Sequence, residues 1–318
     1  MSEPASYRSS GLRIALTGAT GFVGQHLQRR LLAEGHQLRA LIRPVSVARA
    51  HLLEGCQRVS VDLDNREELQ TALDGVDAVV YCAGSVRGAR KADFLAANVA
   101  GVAQLAAVAA AQHRPVPFLL ISSLAASRPQ VSDYAQSKFE GEQALTEFPN
   151  LPWTVLRPPA LYGPGDREMR PILAWIRRGL APIPGPPGQR LSLLHVEDLS
   201  AAVSAWLSAS ERCRHQVFAI DDGTPGGYDW TAIGRAVAGR DPWRLPVPAL
   251  LLHSAARFNQ LLSLAFGYAP MLTPGKVREL RQSDWLGDNR EYHRASGWSP
   301  AIDLATGAAR LFDQDGRR

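Results

Sequence analysis

Short apolar runs and longer amphipathic ones alternate along the first half of the chain. Residues 12–17, 37–43, 59–62, 78–82, 118–122 and 153–157 have the length and bulk of buried strands. Between them, residues 22–34, 66–73, 94–112 and 134–147 carry apolar side chains three and four apart, the first through Phe22, Val23, Leu27, Leu31 and Leu32. That spacing puts them on one face of a helix. Strand and helix in repeated succession predict an α/β fold: a doubly wound parallel sheet with helices on both faces. Such a sheet takes its ligands beyond the C-terminal ends of the strands.

The pattern changes after Pro158. Proline and glycine become dense, above all from Pro182 to Gly188, where an ordered loop of a second, smaller lobe is expected. Residues 191–194 read as a strand and 197–209 as a helix. Residues 245–272 are rich in leucine and phenylalanine but are broken by His253, Arg257, Asn259 and Pro270. They are expected to form a helical wall of the second lobe, with contact to a membrane surface as the alternative. No run reaches the roughly 18 uninterrupted apolar residues of a transmembrane helix. Residues 1–10 are polar and read as a frayed tail, unlike a signal peptide.

Composition narrows the function classes. A chain of 318 residues with 46% apolar residues has ample material for one large domain and a smaller lobe. The formal charge of +5 is spread among interspersed acids and bases. No basic run carries the aromatic interleaving of a nucleic-acid surface. Cys56, Cys82 and Cys213 are odd in number and lack metal-ligand spacing, so neither a disulfide framework nor a zinc site is expected. A reducing cytoplasm is the expected compartment.

Two motifs carry chemistry. Gly18, Gly21 and Gly24 fall on the turn between the first strand and the first helix, where they allow a tight bend and a close approach of backbone to a pyrophosphate at the helix N-terminus. Tyr134 and Lys138 lie one helical turn apart, so an ammonium shares a face with a phenol. A phenol has an ordinary pKa of about 10 and exchanges protons at neutral pH only beside a stabilising cation. Lysine is scarce, restricted to Lys91, Lys138 and Lys276, which makes the spacing informative.

With these motifs the chain resembles the extended short-chain dehydrogenases/reductases, the NAD-dependent epimerase/dehydratase-like proteins. The resemblance rests on TGATGFVG at 17–24, VDL at 61–63, CAG at 82–84, NVAG at 98–101, ISS at 121–123, YAQSKFEGE at 134–142, LRPPALYGPGD at 156–166 and HVEDL at 195–199. It implies a Rossmann-type NADP-binding domain over 11–160, with 189–222 returning to it, and a substrate lobe from 161–188 and 223–318. It implies Tyr134 as general acid or base, Lys138 as the cation that lowers the phenol pKa and holds the nicotinamide ribose, and Ser123 as hydrogen-bond donor to the reacting oxygen, with Ser122 as the competing assignment. The implied cofactor contacts are Gly18, Thr20, Gly21, Phe22, Val23, Gly24, Leu63, Cys82, Ala83, Gly84, Ser122, Tyr134, Lys138 and Pro158, with Asp62 accepting from the adenine amino group. Asn98 is implied to lie near the active-site backbone.

NAD-preferring relatives end the second strand with an acid that accepts from the ribose hydroxyls. Here that segment ends in Arg43, with no acid before Glu54, which favours NADP over NAD. Sugar-nucleotide relatives carry an asparagine beyond the catalytic helix and an arginine near position 191; this chain has Pro158-Pro159-Ala160 and Leu191, with Arg190 displaced. The expected reaction is hydride transfer between NADP(H) and an apolar hydroxy or keto compound, sterol-like or isoprenoid-like. The alternatives are a nucleotide-sugar epimerase or dehydratase, helped by Arg167, Arg170, Arg177 and Arg178, and a non-catalytic NADP-binding protein. Several of Trp175, Trp206, Trp230, Trp243, Phe258, Phe266 and Trp285 are expected to line the cleft. A small-molecule substrate and no nucleic-acid partner are expected, and a homodimer is compatible with the sequence.

Overall fold

The computed structural model describes residues 11–313; the N-terminal segment read as a frayed tail lies outside them. The chain runs through β1 (Arg13–Thr17), α1 (Phe22–Ala33), β2 (Gln37–Ile42), β3 (Cys56–Ser60), α2 (Arg66–Leu73) and β4 (Ala78–Tyr81). It continues through α3 (Ala92–Leu95), a π-helical turn (Ala96–Ala100), α4 (Gly101–Ala110), β5 (Phe118–Ile121), α5 (Asp133–Thr146) and β6 (Trp153–Arg157). It goes on through β7 (Ala160–Tyr162), α6 (Met169–Arg177), β8 (Leu180–Ile183) and β9 (Arg190–Leu191). There follow β10 (Leu193–His195), α7 (Val196–Leu207), β11 (Gln216–Ala219), α8 (Trp230–Ala238) and β12 (Trp243–Pro246). The last elements are α9 (Ala249–Phe266), α10 (Pro274–Leu280), β13 (Asp284–Trp285), α11 (Arg290–Ser296) and α12 (Leu304–Asp313).

Seven strands form one parallel sheet in the order β11-β6-β5-β4-β1-β2-β3, the α/β architecture that the alternating pattern predicts. Side chains alternate across it. Ile14, Leu16, Val80 and Leu119 point to one face, where they meet Leu27, Leu199, Trp206 and Tyr292. Ala15, Val79, Tyr81, Phe118 and Leu120 point to the other, against Leu69, Leu105 and Leu145. Both faces are therefore dry, which is why these strands read as continuous apolar runs. The segment Ala92–Ala110 is, by length and hydropathy, the one helix among the described residues able to cross a membrane, yet its Val102, Leu105, Val108 and Ala109 are buried in the domain core.

Two sequence expectations shift. The third strand is Cys56–Ser60 rather than 59–62, because its register is set by pairing with β2 from Leu38↔Cys56 to Ile42↔Ser60; Val61 keeps one amide bond to Ile42 O, and Asp62 leaves the sheet. The expected strand at 191–194 is two strands in two sheets: β9 pairs with β13, and β10 with β7. Ser192, between them, turns its hydroxyl to the buried Asp221 carboxylate at 2.7 Å. The proline-rich stretch is ordered and ends at Gln189, whose amide donates to Leu280 O and Gln282 O.

His195 closes β10 and caps α7, its Nδ1 accepting from the Glu197 amide at 3.3 Å. Nε2 must then carry the proton, and it is buried without a hydrogen-bond partner, edge-on to Tyr162 at 5.2 Å between centroids. Burial holds this imidazole neutral and lowers its pKa to about 4. A folded pKa below the unfolded value of about 6.5 means that the unfolded chain binds more protons between those limits, so stability is full above pH 6.5 and lost as pH falls toward 4. We predict that His195 contributes about 2 to 3 kcal/mol to this acid loss. Urea unfolding at pH 7 and pH 5 checks it: His195→Gln lowers stability at pH 7 but has a shallower pH dependence than the wild type, and identical slopes refute it.

Candidate functional site

The loops after β1, β4 and β5 converge at one end of the sheet. At the first, Gly18 adopts φ +69°, and a Cβ there would stand 2.7 Å from the Cys82 and Ala83 backbone. A Cβ on Gly24 would stand 2.1 Å from the Gly18 carbonyl oxygen. The turn is thus bare backbone by necessity. It leads into α1, whose first intrahelical bond runs from the Gln25 amide to Gly21 O, so the amides of Phe22, Val23 and Gly24 precede the helical ladder. With Thr20 exposed beside them, these amides form the kind of anion cradle that a dinucleotide pyrophosphate fits. Thr17 Oγ1 accepts from both the Cys82 and Ala83 amides, at 3.1 and 3.0 Å, and so joins the first loop to the second. Burial pushes the Cys82 thiol up to about 12, which keeps it a protonated packing group.

Tyr134 sits in the first turn of α5, whose N-cap is Ser132, accepting from the Ala135 amide at 3.0 Å. Its ring meets Phe94 edge-on. Burial raises the phenol above its ordinary pKa; a hydrogen bond with Ser123 and the Lys276 ammonium pull it back, and Glu279 pushes it up. Ser122 and Ser123 are separated by their partners: Ser122 donates to the buried Glu142, which Arg157 also holds, whereas Ser123 faces the phenol. Lys138 is buried on the same helix, with Nζ donating to Ile121 O at 3.1 Å; desolvation lowers its pKa to about 8. Its Nζ would lie 3.1 Å from a Cβ on Gly84, so only glycine leaves that approach open.

The other expected residues lie at the C-terminal ends of β2, β3 and β6 and in the π-helical turn. Arg43 is exposed at the end of β2, and among the described residues no acidic side chain pairs with it. Asp62 and Leu63 follow β3; Asp62 is exposed, its Oδ1 accepting from the Asp64 amide. Pro158 is buried and its carbonyl accepts from the Leu124 amide at 2.8 Å, fixing the turn that contains Ser123. Asn98, in the π-helical turn, is buried; its amide exchanges hydrogen bonds with the Ser85 backbone at 3.0 Å and donates to Ser137 Oγ at 2.9 Å. It fastens the Gly84 loop to α5, a positioning role. Such π turns recur at functional sites because they free backbone groups, here the Ala97 carbonyl that accepts from Tyr81.

A cavity of about 140 Å³ opens beside Tyr134, bounded by Phe94, Val86, Met271, Gln260 and Lys276. Sequence reasoning missed Lys276. Its ammonium, 2.8 Å from the buried Glu279, is the charge that lowers the phenol pKa, the task that the resemblance gives to Lys138, and Glu279 in turn accepts from the Ser132 cap. The signal was present in the scarcity of lysine: two of the three lysines flank Tyr134. The aromatic lining differs from expectation. None of the seven named aromatics borders this cavity. Trp206 is in the main core; Trp175, Trp243, Phe258 and Phe266 are exposed; Trp285 lies under Arg128, and Trp230 donates to Gln189. Nor do the arginines beyond the YGPG segment border it: Arg177 stacks on Phe312, and Arg190 faces Asp229 at 3.9 Å.

Residues 14–220 match the sequence pattern of the NAD dependent epimerase/dehydratase family. Ceramide reductase of Caulobacter vibrioides is 31% identical over 317 residues, 90% of this chain and 96% of that protein. The 4-hydroxy-2-methyl-3-oxo-4-farnesyl-3,4-dihydroquinoline-1-oxide ketoreductase of Stigmatella aurantiaca is 30% identical over 181 residues, 51% of this chain and 54% of that protein. Among solved structures, MoeE5 in complex with UDP-glucuronic acid and NAD superimposes with a TM-score of 0.71 at 20% identity, over 96% of this chain and 99% of that one, and so shares the fold. With the glycine turn, the anion cradle and the serine, tyrosine and lysine at one sheet end, the chain belongs to the NAD dependent epimerase/dehydratase family of extended short-chain dehydrogenases/reductases and is an enzyme of nicotinamide-cofactor chemistry.

Proposed function

We propose that this protein is an NADP-dependent reductase that converts a keto group of a neutral, lipid-like molecule to a secondary alcohol. The observation that carries the reading is the state of the cations at the Tyr134 cavity: Lys276 is paired with Glu279, and Arg278 donates to Val131 O at 2.7 Å. A diphosphate would have to displace both contacts, whereas a neutral carbonyl compound leaves them intact. The resemblance to a ceramide reductase over nine-tenths of the chain supports the same reading. A nucleotide-sugar reading draws on fold likeness to MoeE5, at an identity too low to carry a substrate.

In this reading, residues 11–160 with 189–222 form the NADP-binding domain, and 161–188 with 223–318 the substrate lobe, in a reducing compartment such as the cytoplasm. The glycine turn with Thr20, Phe22 and Val23 takes the pyrophosphate, Arg43 the 2′-phosphate, and Asp62 and Leu63 the adenine. Cys82, Ala83, Gly84, Ser122 and Pro158 shape the floor. A reduced nicotinamide, when bound, supplies the hydride to the carbonyl carbon. Ser123 donates a hydrogen bond to the carbonyl oxygen and Tyr134 gives it the phenolic proton, so the ketone gains hydride and proton together. Lys138 holds the ribose hydroxyls, and Lys276 stabilises the phenolate left behind.

Three outcomes follow from these assignments. Tyr134→Phe reduces turnover by about 100-fold or more while NADPH affinity, read by nicotinamide fluorescence, stays nearly unchanged; wild-type turnover in the variant would disprove the proton-donor role. Arg43→Asp weakens NADPH binding by about 1 to 3 kcal/mol and leaves NADH nearly unaffected; a wild type with equal affinity for both cofactors would remove the NADP assignment. Because the Lys138 pKa is lowered to about 8, its ammonium is charged at neutral pH and discharges as pH rises through that value. Carbonyl reduction therefore declines above about pH 8, and Lys138→Arg shifts that limb upward in a kcat/KM profile. An unmoved limb would assign it to another group.

A further inference from the structure

Helix α9 turns a broad apolar face outward. Its outward face carries Leu250 at 76% exposure, Phe258 at 64% and Leu261 at 65%, with Leu251 and Leu264 beside them, while Asn259, Gln260 and Ser263 face the protein. Gln260 donates to Ala89 O at 2.6 Å, Asn259 to Leu272 O at 2.9 Å, and the buried Ser263 to Gln260 O at 2.7 Å. A surface helix of a water-facing protein has the opposite pattern. The apolar exposure begins before the helix, at Trp243 and Leu245, and continues past it to Tyr268. From Pro242 to Pro274 the chain has no aspartate or glutamate but has Arg244 and Arg257.

We propose that the outer face of α9 docks the protein on an anionic lipid bilayer. Leucine, phenylalanine and tryptophan with arginine and no acid is the composition of a helix lying in a membrane interface. Arg257 decides between a bilayer and a second copy of the chain: it stands on the apolar face between Leu250 and Leu261, in a segment without an acid. In a two-fold contact the same patch faces itself, so Arg257 would meet no complementary charge there. At a bilayer it meets lipid phosphate, and its apolar neighbours enter the acyl boundary. The placement also serves the site, because Gln260 of α9 and Met271 after it are walls of the Tyr134 cavity. A lipid-like substrate could then pass from the bilayer to Tyr134 along the helix without crossing water. That last step rests on the proposed reductase reading; the docking does not.

Vesicle flotation with the full-length protein, in the absence of cofactor and substrate, tests the docking alone. The probes are vesicles of phosphatidylcholine and vesicles of phosphatidylcholine with phosphatidylglycerol. The wild type is expected to float with the phosphatidylglycerol vesicles, and Arg257→Gln to bind them about fivefold more weakly, the effect of one cation at an anionic surface. Phe258→Gln/Leu261→Gln is expected to remain at the bottom of the gradient while keeping the wild-type Tm and NADPH affinity. A wild type that does not float, or a double variant that floats as well as the wild type, overturns the proposal. So does sedimentation of the wild type as a dimer that the double variant converts to monomer without any vesicle binding. Loss of flotation would leave the Tyr134→Phe result unaffected, so docking and reductase readings fail separately.

Discussion

Two backbone amides at the end of β4, those of Cys82 and Ala83, have lost their strand partners, and one side-chain oxygen takes both: Thr17 Oγ1 at the end of β1. Buried amides must be paired, and the chain here is leaving the sheet in two directions at once. The hydroxyl therefore fixes how far apart the β1 and β4 loops stand. Everything in the cradle follows from that spacing. Gly18 must be bare because the β4 loop lies 2.7 Å from where its Cβ would be, and Gly24 because α1 is pressed against the same turn. Close packing of backbone against backbone leaves the amides of Phe22, Val23 and Gly24 ahead of the helical ladder, the geometry on which the proposed pyrophosphate site rests.

The chemistry end of the site is built by a second set of buried polar contacts. Asn98 ties the Gly84 loop to α5, and Glu142 gathers Ser122 and Arg157, leaving Ser123 directed to the phenol. Each of these polar groups is satisfied, so the constellation is rigid before any ligand arrives. Burial makes the phenol a weaker acid, while the surrounding hydroxyl and ammonium work against that rise. The two lysines come from different parts of the fold. Lys138 lies under the Gly84 loop, and Lys276 comes from the smaller lobe on the far side of the cavity.

The smaller lobe bears on the site through a short relay rather than through aromatic walls. Ser132 caps α5 and also donates to Glu279 of α10, which holds Lys276. The helix that carries Tyr134 is therefore fastened at its first turn to the lobe that closes the cavity. A shift of α10 would move the cap, the cation and the cavity wall together. Trp175, Trp243, Phe258 and Phe266 lie elsewhere, exposed and away from the cavity.

The sequence by itself determined the α/β order, the parallel sheet and the glycine turn, because a strand buried on both faces and a helix buried on one leave distinct periods that neighbouring residues alone produce. It also placed Tyr134 and Lys138 on one helix, since four residues make about one turn. Only the tertiary structure decided the rest. The third strand took its limits from pairing with β2, and 191–194 divided because its two halves found different partners. Ser122 and Ser123 were told apart by Glu142, which takes the Ser122 hydroxyl from twenty residues away in sequence. Lys276 reached the phenol from 142 positions along the chain, and the apolar face of α9 turned outward because Gln260 and Asn259 found carbonyls inside. Partners distant in sequence are brought together by packing, and packing leaves no period to read.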